Sequence, residues 1–226
     1  MDRKSPYYYL NSASYFGWGE NSKPDQERLR LIDRYTVGKS ILDIGCGVGL
    51  YVDYVTSKGY EGTGVDFVSK FIDKAKETFR GNFIKDKIEK LPFWENQFDT
   101  SFLFDVLEHR DDVKLLKEAK RVTAKRILII VPRQVDTFLE QSGVIFRHYL
   151  DKSHLREYEE KDLKKLAKNV GLRLTHCEKI HPLYNETIFL ALFTGSVFLK
   201  KILRKLVFFI LPKSKLPTEY FAVFEK

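Results

Sequence analysis

One segment constrains the fold more than any other. Ile41-Leu42-Asp43-Ile44 reads as a short buried strand that runs into Gly45-Cys46-Gly47-Val48-Gly49 and then into a helical pattern. Glycines at alternate positions let the backbone turn tightly and approach a ligand, and the helix that follows offers free N–H groups to an anion. A strand, a glycine turn and a helix in that order start a parallel sheet wrapped by helices. Seventeen residues after Gly49 stands Asp66, at the end of the next apolar strand. A carboxylate there can accept both hydroxyls of an adenosine ribose, and Phe67 beside it can lie against an adenine face.

The rest of the chain continues the alternation. A helix is expected over about Pro24–Tyr35, strands over Lys39–Ile44, Tyr60–Asp66 and Asn82–Lys85, and a helix over Val68–Phe79. Phe98–Phe104 and Arg126–Val131 read as strands around a helix over Asp111–Val122, and Glu159–Asn169 as a helix closed by Gly171. Gln134–Leu150 reads as a loop and short helix. Leu172–Ile180 and Thr218–Glu225 follow as strands, the last alternating enough for a sheet edge. This predicts an α/β, doubly wound, mostly parallel seven-stranded sheet with a terminal antiparallel strand. Residues 1–38 form a helical and aromatic lid region in this reading, with Tyr15, Phe16 and Trp18 placed to fold over a ligand. Residues 39–226 form the main domain, with an apolar and basic insert at about 183–216.

Charge and composition narrow the setting. The chain has 39 Lys and Arg against 31 Asp and Glu, a net charge of +8, which suggests an anionic partner. Six of those positive charges lie between Gly195 and Leu216 with no acid among them. On a helix over 197–211 the four of them at 200, 201, 204 and 205 make one cationic stripe beside a wide apolar face, which fits an anionic membrane interface or packing against protein. No compact basic patch with interleaved aromatics appears, which argues against nucleic acid. Two cysteines, Cys46 and Cys177, imply no disulfide framework and fit a cytoplasmic setting. The longest uncharged apolar stretch, Thr187–Leu199, falls short of the roughly 20 residues that a membrane helix needs.

A dinucleotide-binding turn would place its third glycine one residue later. The early glycine, the Asp two residues before the first, and further marks resemble the class I S-adenosylmethionine-dependent methyltransferases of the small-molecule, "type 11"-like subgroup. The marks are Gly64-Val65-Asp66, Leu91-Pro92-Phe93, Phe98-Asp99, Val106-Leu107-Glu108-His109 and Leu128-Ile129-Ile130-Val131-Pro132. The resemblance covers about residues 36–180 and implies a Rossmann-like fold and S-adenosylmethionine as cofactor. It implies that Gly45, Cys46 and Gly47 lie along the methionine part and that Asp43 helps hold its amino group. Asp66 would bind the ribose, Phe67 would line the adenine, and the Phe104 carbonyl would meet the ammonium. The residue that reads the adenine edge falls at Lys87 by position, with Asp86 one place before it and Ile88 offering backbone and packing.

Methyl transfer from a sulfonium is a direct displacement, so positioning supplies much of the rate and no single catalytic residue is demanded. Asp105, Glu108 and His109 are the candidates beside the expected methyl site. His109 reads as a base. The three also resemble the cation-binding cluster of some quinone and small-RNA O-methyltransferases, and they share one face if the segment is helical. A helix start with structural hydrogen bonds is the plain alternative, and no metal is assigned. His154, Arg156 and Tyr158 match a stretch that borders the acceptor pocket in the resembled family, with an Arg156–Asp151 pair as the structural alternative. His148, His176 and His181 read as isolated. The expected activity is methyl transfer to oxygen of a small or lipid-like acceptor; an RNA or protein acceptor, with a metal-assisted step, is the alternative.

Overall fold

The computed structural model describes residues 23–134, 151–183 and 216–226. The expectations that fall elsewhere, on Tyr15, Phe16, Trp18, His148, the loop after Gln134 and the body of the insert, lie outside the described residues. In chain order the elements are α1 (Gln26–Tyr35), β1 (Ser40–Ile44), α2 (Leu50–Ser57), β2 (Glu61–Asp66), α3 (Ser69–Thr78), β3 (Asn82–Lys85) and β4 (Phe98–Phe104). A 3-10 turn (Leu107–His109), α4 (Asp112–Val122), β5 (Thr123–Pro132), α5 (Glu160–Val170), β6 (Arg173–Leu183) and β7 (Leu216–Glu225) follow.

The strands form one seven-stranded sheet in the order β3-β2-β1-β4-β5-β7-β6. All neighbouring pairs are parallel as far as β5, and β7 runs antiparallel to both β5 and β6. Helices cover both faces. Leu115, Leu116 and Ala119 of α4 and Leu163 and Leu166 of α5 pack on one side against Leu42, Leu103 and Ile129. On the other side Leu31 and Ile32 of α1 pack against Ile41, Phe102, Leu128 and Phe221. The order reverses between β1 and β4, which leaves a crevice at the carboxyl ends of those strands.

One expectation is corrected. Thr218–Glu225 is not an edge strand: β7 inserts between β5 and β6, and the edge is β6. The run Tyr220-Phe221-Ala222-Val223-Phe224 is buried throughout, because helices cover both faces of the sheet at that point. β6 carries the half-exposed residues that an edge tolerates.

Helix ends follow the local chemistry. Asp25 accepts the Arg28 N–H at 2.9 Å and starts α1, and Asp111 does the same for Lys114 at 3.0 Å before α4. Gly171, at φ 68°, closes α5 in the left-handed region.

Candidate functional site

The glycine turn is shaped from inside. Gly45, Gly47 and Gly49 all have positive φ, at 79°, 52° and 88°. A Cβ on Gly45 would stand 2.7 Å from Val106 Cγ2, whereas one on Gly47 would meet nothing within 4 Å. Asp66 ties this turn to the end of β2. Its Oδ2 accepts the Gly47 N–H at 3.0 Å and its Oδ1 accepts the Val68 N–H at 2.9 Å. Burial raises its pKa, while those N–H bonds pull the other way. Asp66 therefore caps the next turn and also faces the cavity, so the structural and the ligand-facing roles coincide in one side chain.

Within the turn itself the first three N–H groups are already taken. The Gly45 and Cys46 N–H groups both donate to the Val65 carbonyl, at 2.7 and 3.1 Å, and that of Gly47 goes to Asp66. What the turn offers instead is carboxylate. Asp43 is 3% exposed, and its Oδ2 is buried without a hydrogen-bond partner. Burial, then the charge of Asp66, pushes its carboxyl up to about 7. Both acids line a cavity of about 820 Å³, with Cys46, Phe67, Ile88, Phe104 and Val106 on its apolar walls. The Arg110 guanidinium stands 4.9 Å over the Phe67 ring. A turn edged by two buried acids suits a ligand with positive charge better than a pyrophosphate.

Comparison with known proteins agrees with that polarity. Residues 42–131 match the family model described as a methyltransferase domain. This stretch is a class I S-adenosylmethionine-dependent methyltransferase domain. The chain is 34% identical over 119 residues to a ubiquinone biosynthesis O-methyltransferase of Rickettsia bellii, a match over 49% of this chain and 48% of that one. It is 37% identical over 95 residues to a tRNA U34 carboxymethyltransferase of Campylobacter curvus, over 37% of this chain and 30% of that one. The chain thus spans about half the length, or less, of these curated relatives. Among solved structures, a SAM dependent methyltransferase from Archaeoglobus fulgidus superposes with a TM-score of 0.67 at 19% identity, covering 97% of this chain and 100% of that one, which speaks for the fold.

The methyltransferase domain has the features such a cofactor requires. Gly47 leaves open space where a side chain would stand, and Asp43 keeps an unpartnered buried oxygen. Gly45, Cys46, Gly47, Phe67, Ile88 and Phe104 line the same cavity. Asp86 and Lys87 do not: Asp86 Oδ1 accepts the Lys87 N–H at 2.7 Å, and Lys87 is exposed. Ile88 alone of the three reaches the cavity wall.

A pH dependence follows from Asp43. Its folded pKa stands above the ordinary carboxylate value, so the empty protein loses stability as pH rises from about 4 through 7. A cationic ligand needs the ionised form. Its binding strengthens over that rise, by roughly tenfold between pH 6 and 8. Titration calorimetry with S-adenosylmethionine is expected to show this gain for the wild type and to lose it in Asp43→Asn.

The segment after β4 is arranged differently from the expected shared face. Asp105 has a left-handed φ of 56° and lies before the 3-10 turn, so it does not share a helical face with Glu108 and His109. Its carboxylate pairs with Arg28 at 2.7 Å. In place of Asp105 the fold brings up His154. Among the described residues, Glu108, His109 and His154 each offer a donor atom within 4.8 Å of the others. Glu108 is 1% exposed with Oε2 unpartnered, and burial and the nearby Asp105 charge hold its carboxyl well above the usual range. Ser153 donates to Asp151 Oδ1 at 2.7 Å, so its oxygen accepts from His109 Nδ1 at 2.8 Å. That assigns the proton to Nδ1 and leaves Nε2 as the lone-pair nitrogen. Burial, with the adjacent His154, pushes the imidazole pKa down to about 3.

Two expected acceptor contacts are not brought to the cavity. Arg156 Nη1 pairs with Asp112 at 2.5 Å, and the buried Tyr158 hydroxyl donates to the same carboxylate at 3.3 Å. They fasten the start of α4. Arg156 pairs there rather than with Asp151, which binds the N–H and hydroxyl of Ser153. Conversely, sequence reasoning missed Arg28, His181 and Glu219, all of which line the cavity. His181 was read as isolated, yet its Nδ1 lies 2.6 Å from Glu219 and its Nε2 2.9 Å from Asp25. Burial pulls its pKa down, but those carboxylates outweigh it and hold the imidazole at about 10. No local pattern marks it, because its partners Glu219 and Asp25 lie 38 and 156 residues away in the chain.

Proposed function

We propose that the protein transfers a methyl group to a hydroxyl oxygen of a small or lipid-like acceptor. The observation that carries this reading is the single cavity shared by Asp43 and Asp66 with the Glu108, His109 and His154 group. S-adenosylmethionine bound there would supply an activated methyl group, whose carbon bonds to the acceptor oxygen as its bond to sulfur breaks and S-adenosylhomocysteine leaves. Asp43 and Asp66 hold the positive and hydroxyl-bearing parts of that cofactor, Gly45 and Gly47 let it approach the backbone, and Phe67 and Ile88 exclude water from its aromatic part. Phe104 offers its carbonyl to the ammonium. The acceptor lies towards His109 and His154. The relative's name, O-methyltransferase, favours oxygen.

A base with a pKa near 3 removes a hydroxyl proton poorly, so the neutral imidazoles suit a second role better. Glu108, His109 and His154 form a mixed oxygen and nitrogen donor set, and the orphaned Glu108 Oε2 fits a bound divalent cation. Such an ion lowers the pKa of a nearby hydroxyl. Calorimetry with Mn²⁺ or Zn²⁺ is expected to show binding that falls 10- to 100-fold in Ser153→Ala, because the second partner fixes the His109 tautomer. Wild-type affinity in that variant would exclude the role.

The lipid-like reading has its own support. The described chain leaves the sheet at Leu183 and returns at Leu216, whose backbones pair, and His181, Thr218 and Glu219 beside them line the cavity. The basic and apolar insert therefore starts and ends at the rim. No described helix is long and apolar enough to cross a membrane. Residues 197–211 lie outside the described residues, and with charges at 200, 201, 204 and 205 they fall short of the roughly 20 apolar residues of a span, so contact through them would be peripheral. The test is release of S-adenosylhomocysteine with phenolic, catecholic and amine acceptors. Sedimentation with anionic vesicles and RNA gel shift at matched salt separate the lipid from the RNA alternative. Methylation of RNA or amines but of no hydroxyl would overturn the proposal.

A further inference from the structure

The two halves of α1 are held in different ways. Leu31 and Ile32 in its second half are buried against the sheet, whereas its first turn, Gln26-Glu27-Arg28, carries no apolar residue. Asp25, Gln26 and Arg28 nevertheless line the cavity, together with His181, Thr218 and Glu219 of β6 and β7. One imidazole joins these two parts of the rim. His181 Nε2 donates to Asp25 Oδ1 at 2.9 Å and Nδ1 to Glu219 Oε2 at 2.6 Å, while its backbone N–H donates to Glu27 Oε2 at 3.0 Å. Both ring nitrogens meet carboxylates, so both carry protons and the ring is a cation.

Two oxygens of this bridge serve twice. Asp25 Oδ1 also accepts the Arg28 N–H that starts α1, and Glu219 Oε2 also lies 3.1 Å from Arg28 Nη2. Arg28 goes on to pair with Asp105 in the cavity. Capping of the helix, docking of its first turn and delivery of Arg28 to the cavity are therefore one event. The α1 end of the bridge is the end that yields: the Asp25 side chain is 43% open to water, against 20% for Glu219. His181 itself holds left-handed backbone at φ 51°. A non-glycine residue keeps that conformation where its surroundings over-determine it, and such positions gather at clamps and switches.

We propose that the first turn of α1 is a gate of the cavity and that His181 is its clasp: the turn tilts about the buried Leu31 and Ile32 when the bonds of His181 to Asp25 and Glu27 part, and so admits and releases the cofactor. The charged groups facing His181 are Asp25, Glu27 and Arg28 of α1 and Glu219 of β7, with Asp105 behind Arg28. Burial opposes the imidazolium, but the carboxylates hold its pKa at about 10, above the ordinary 6.5. The clasp is whole below that ordinary value and is lost as pH rises through about 10. At the acid end His181 keeps the Asp25 carboxyl down at about 2, so it stays ionised until strongly acidic pH. Across the neutral range motion and ligand, rather than pH, decide how often the gate opens.

The test reads the association and release of S-adenosylhomocysteine by surface plasmon resonance in the wild type, His181→Asn, Asp25→Ser and the double variant. Asparagine tolerates the left-handed backbone and serine keeps the helix cap, so each change cuts the bridge with little else. Both single variants are expected to release the ligand about tenfold faster, the scale of one lost hydrogen bond to a charged group. They should also take it up about threefold faster or more, because a gate that is open more of the time admits as well as releases. The double variant should add nothing, since both changes break the same bond. Amide exchange over residues 26–29 of the unliganded protein should quicken in both, with the strands unchanged. Wild-type release should climb towards that of His181→Asn between about pH 8 and 11, with no matching climb in the variant. Faster release with unchanged or slower uptake would make the bridge a support for the site and overturns the proposal. Wild-type rates and wild-type exchange in both variants overturn it as well.

Discussion

Asp66→Ala is expected to weaken S-adenosylmethionine binding by at least a hundredfold. The carboxylate holds the Gly47 and Val68 N–H groups with its two oxygens, so alanine strands two buried donors as well as removing a ligand contact. Each hydrogen bond to a charged group contributes about 1.5–3 kcal/mol, and two such bonds set the scale. Much of the loss acts through the turn, because Gly45, Cys46 and Gly47 are all fastened to the end of β2. Calorimetry with S-adenosylhomocysteine reads the affinity, and a thermal melt reads the loosened turn. A variant that binds within threefold of wild type would show that Asp66 serves neither purpose.

Gly49→Ala is expected to be the most destabilising single methyl group in the glycine turn. At φ 88°, the new Cβ would lie 2.5 Å from Phe83 Cε1 and 3.1 Å from Ala75 Cβ. The left-handed backbone costs roughly 1–2 kcal/mol and the overpacking about 1–3 more. For a chain of this size that lowers the melting temperature by about 5–15 °C. Gly59→Ala is the control, since Gly59 shares the φ of 88° but has nothing within 4 Å. It should show the backbone part alone. Equal melts for the two variants would mean that Phe83 and Ala75 give way freely.

The glycine turn and its two acids were legible because their information is local. Asp43, Gly45 and Gly47 are separated by a few residues, and the strand rule brings Asp66 alongside them. The parallel half of the sheet was readable for the same reason, each strand being marked by its own apolar run. The placement of β7 was not: Tyr220–Phe224 shows an apolar strand but not which neighbours cover it. The cavity wall around Arg28 depends on distance in sequence. Arg28, Asp105, His181 and Glu219 come from widely separated parts of the chain, and nothing around His181 marks it as a partner of Asp25. The shared face of Asp105 and Glu108 failed on one dihedral angle, since a left-handed residue takes Asp105 out of the helical repeat. Arg156 matched a family position, yet Asp112 was the nearer carboxylate in space.

The insertion of β7 between β5 and β6 also fixes an order of assembly. Until residues 216–225 are made and threaded in, β5 and β6 each lack a neighbour, and the gap between them is one strand wide. β6 then has no bonded place in the sheet, although it precedes β7 in the chain. The parallel strands β1 to β5 can gather first around their own helices, whereas the last two must enter together, as a hairpin closed across a long intervening segment. That late step brings Glu219 and His181 to Arg28. The cavity wall that carries these residues is therefore expected to form last and, by the same reasoning, to be lost first when the sheet opens at that side.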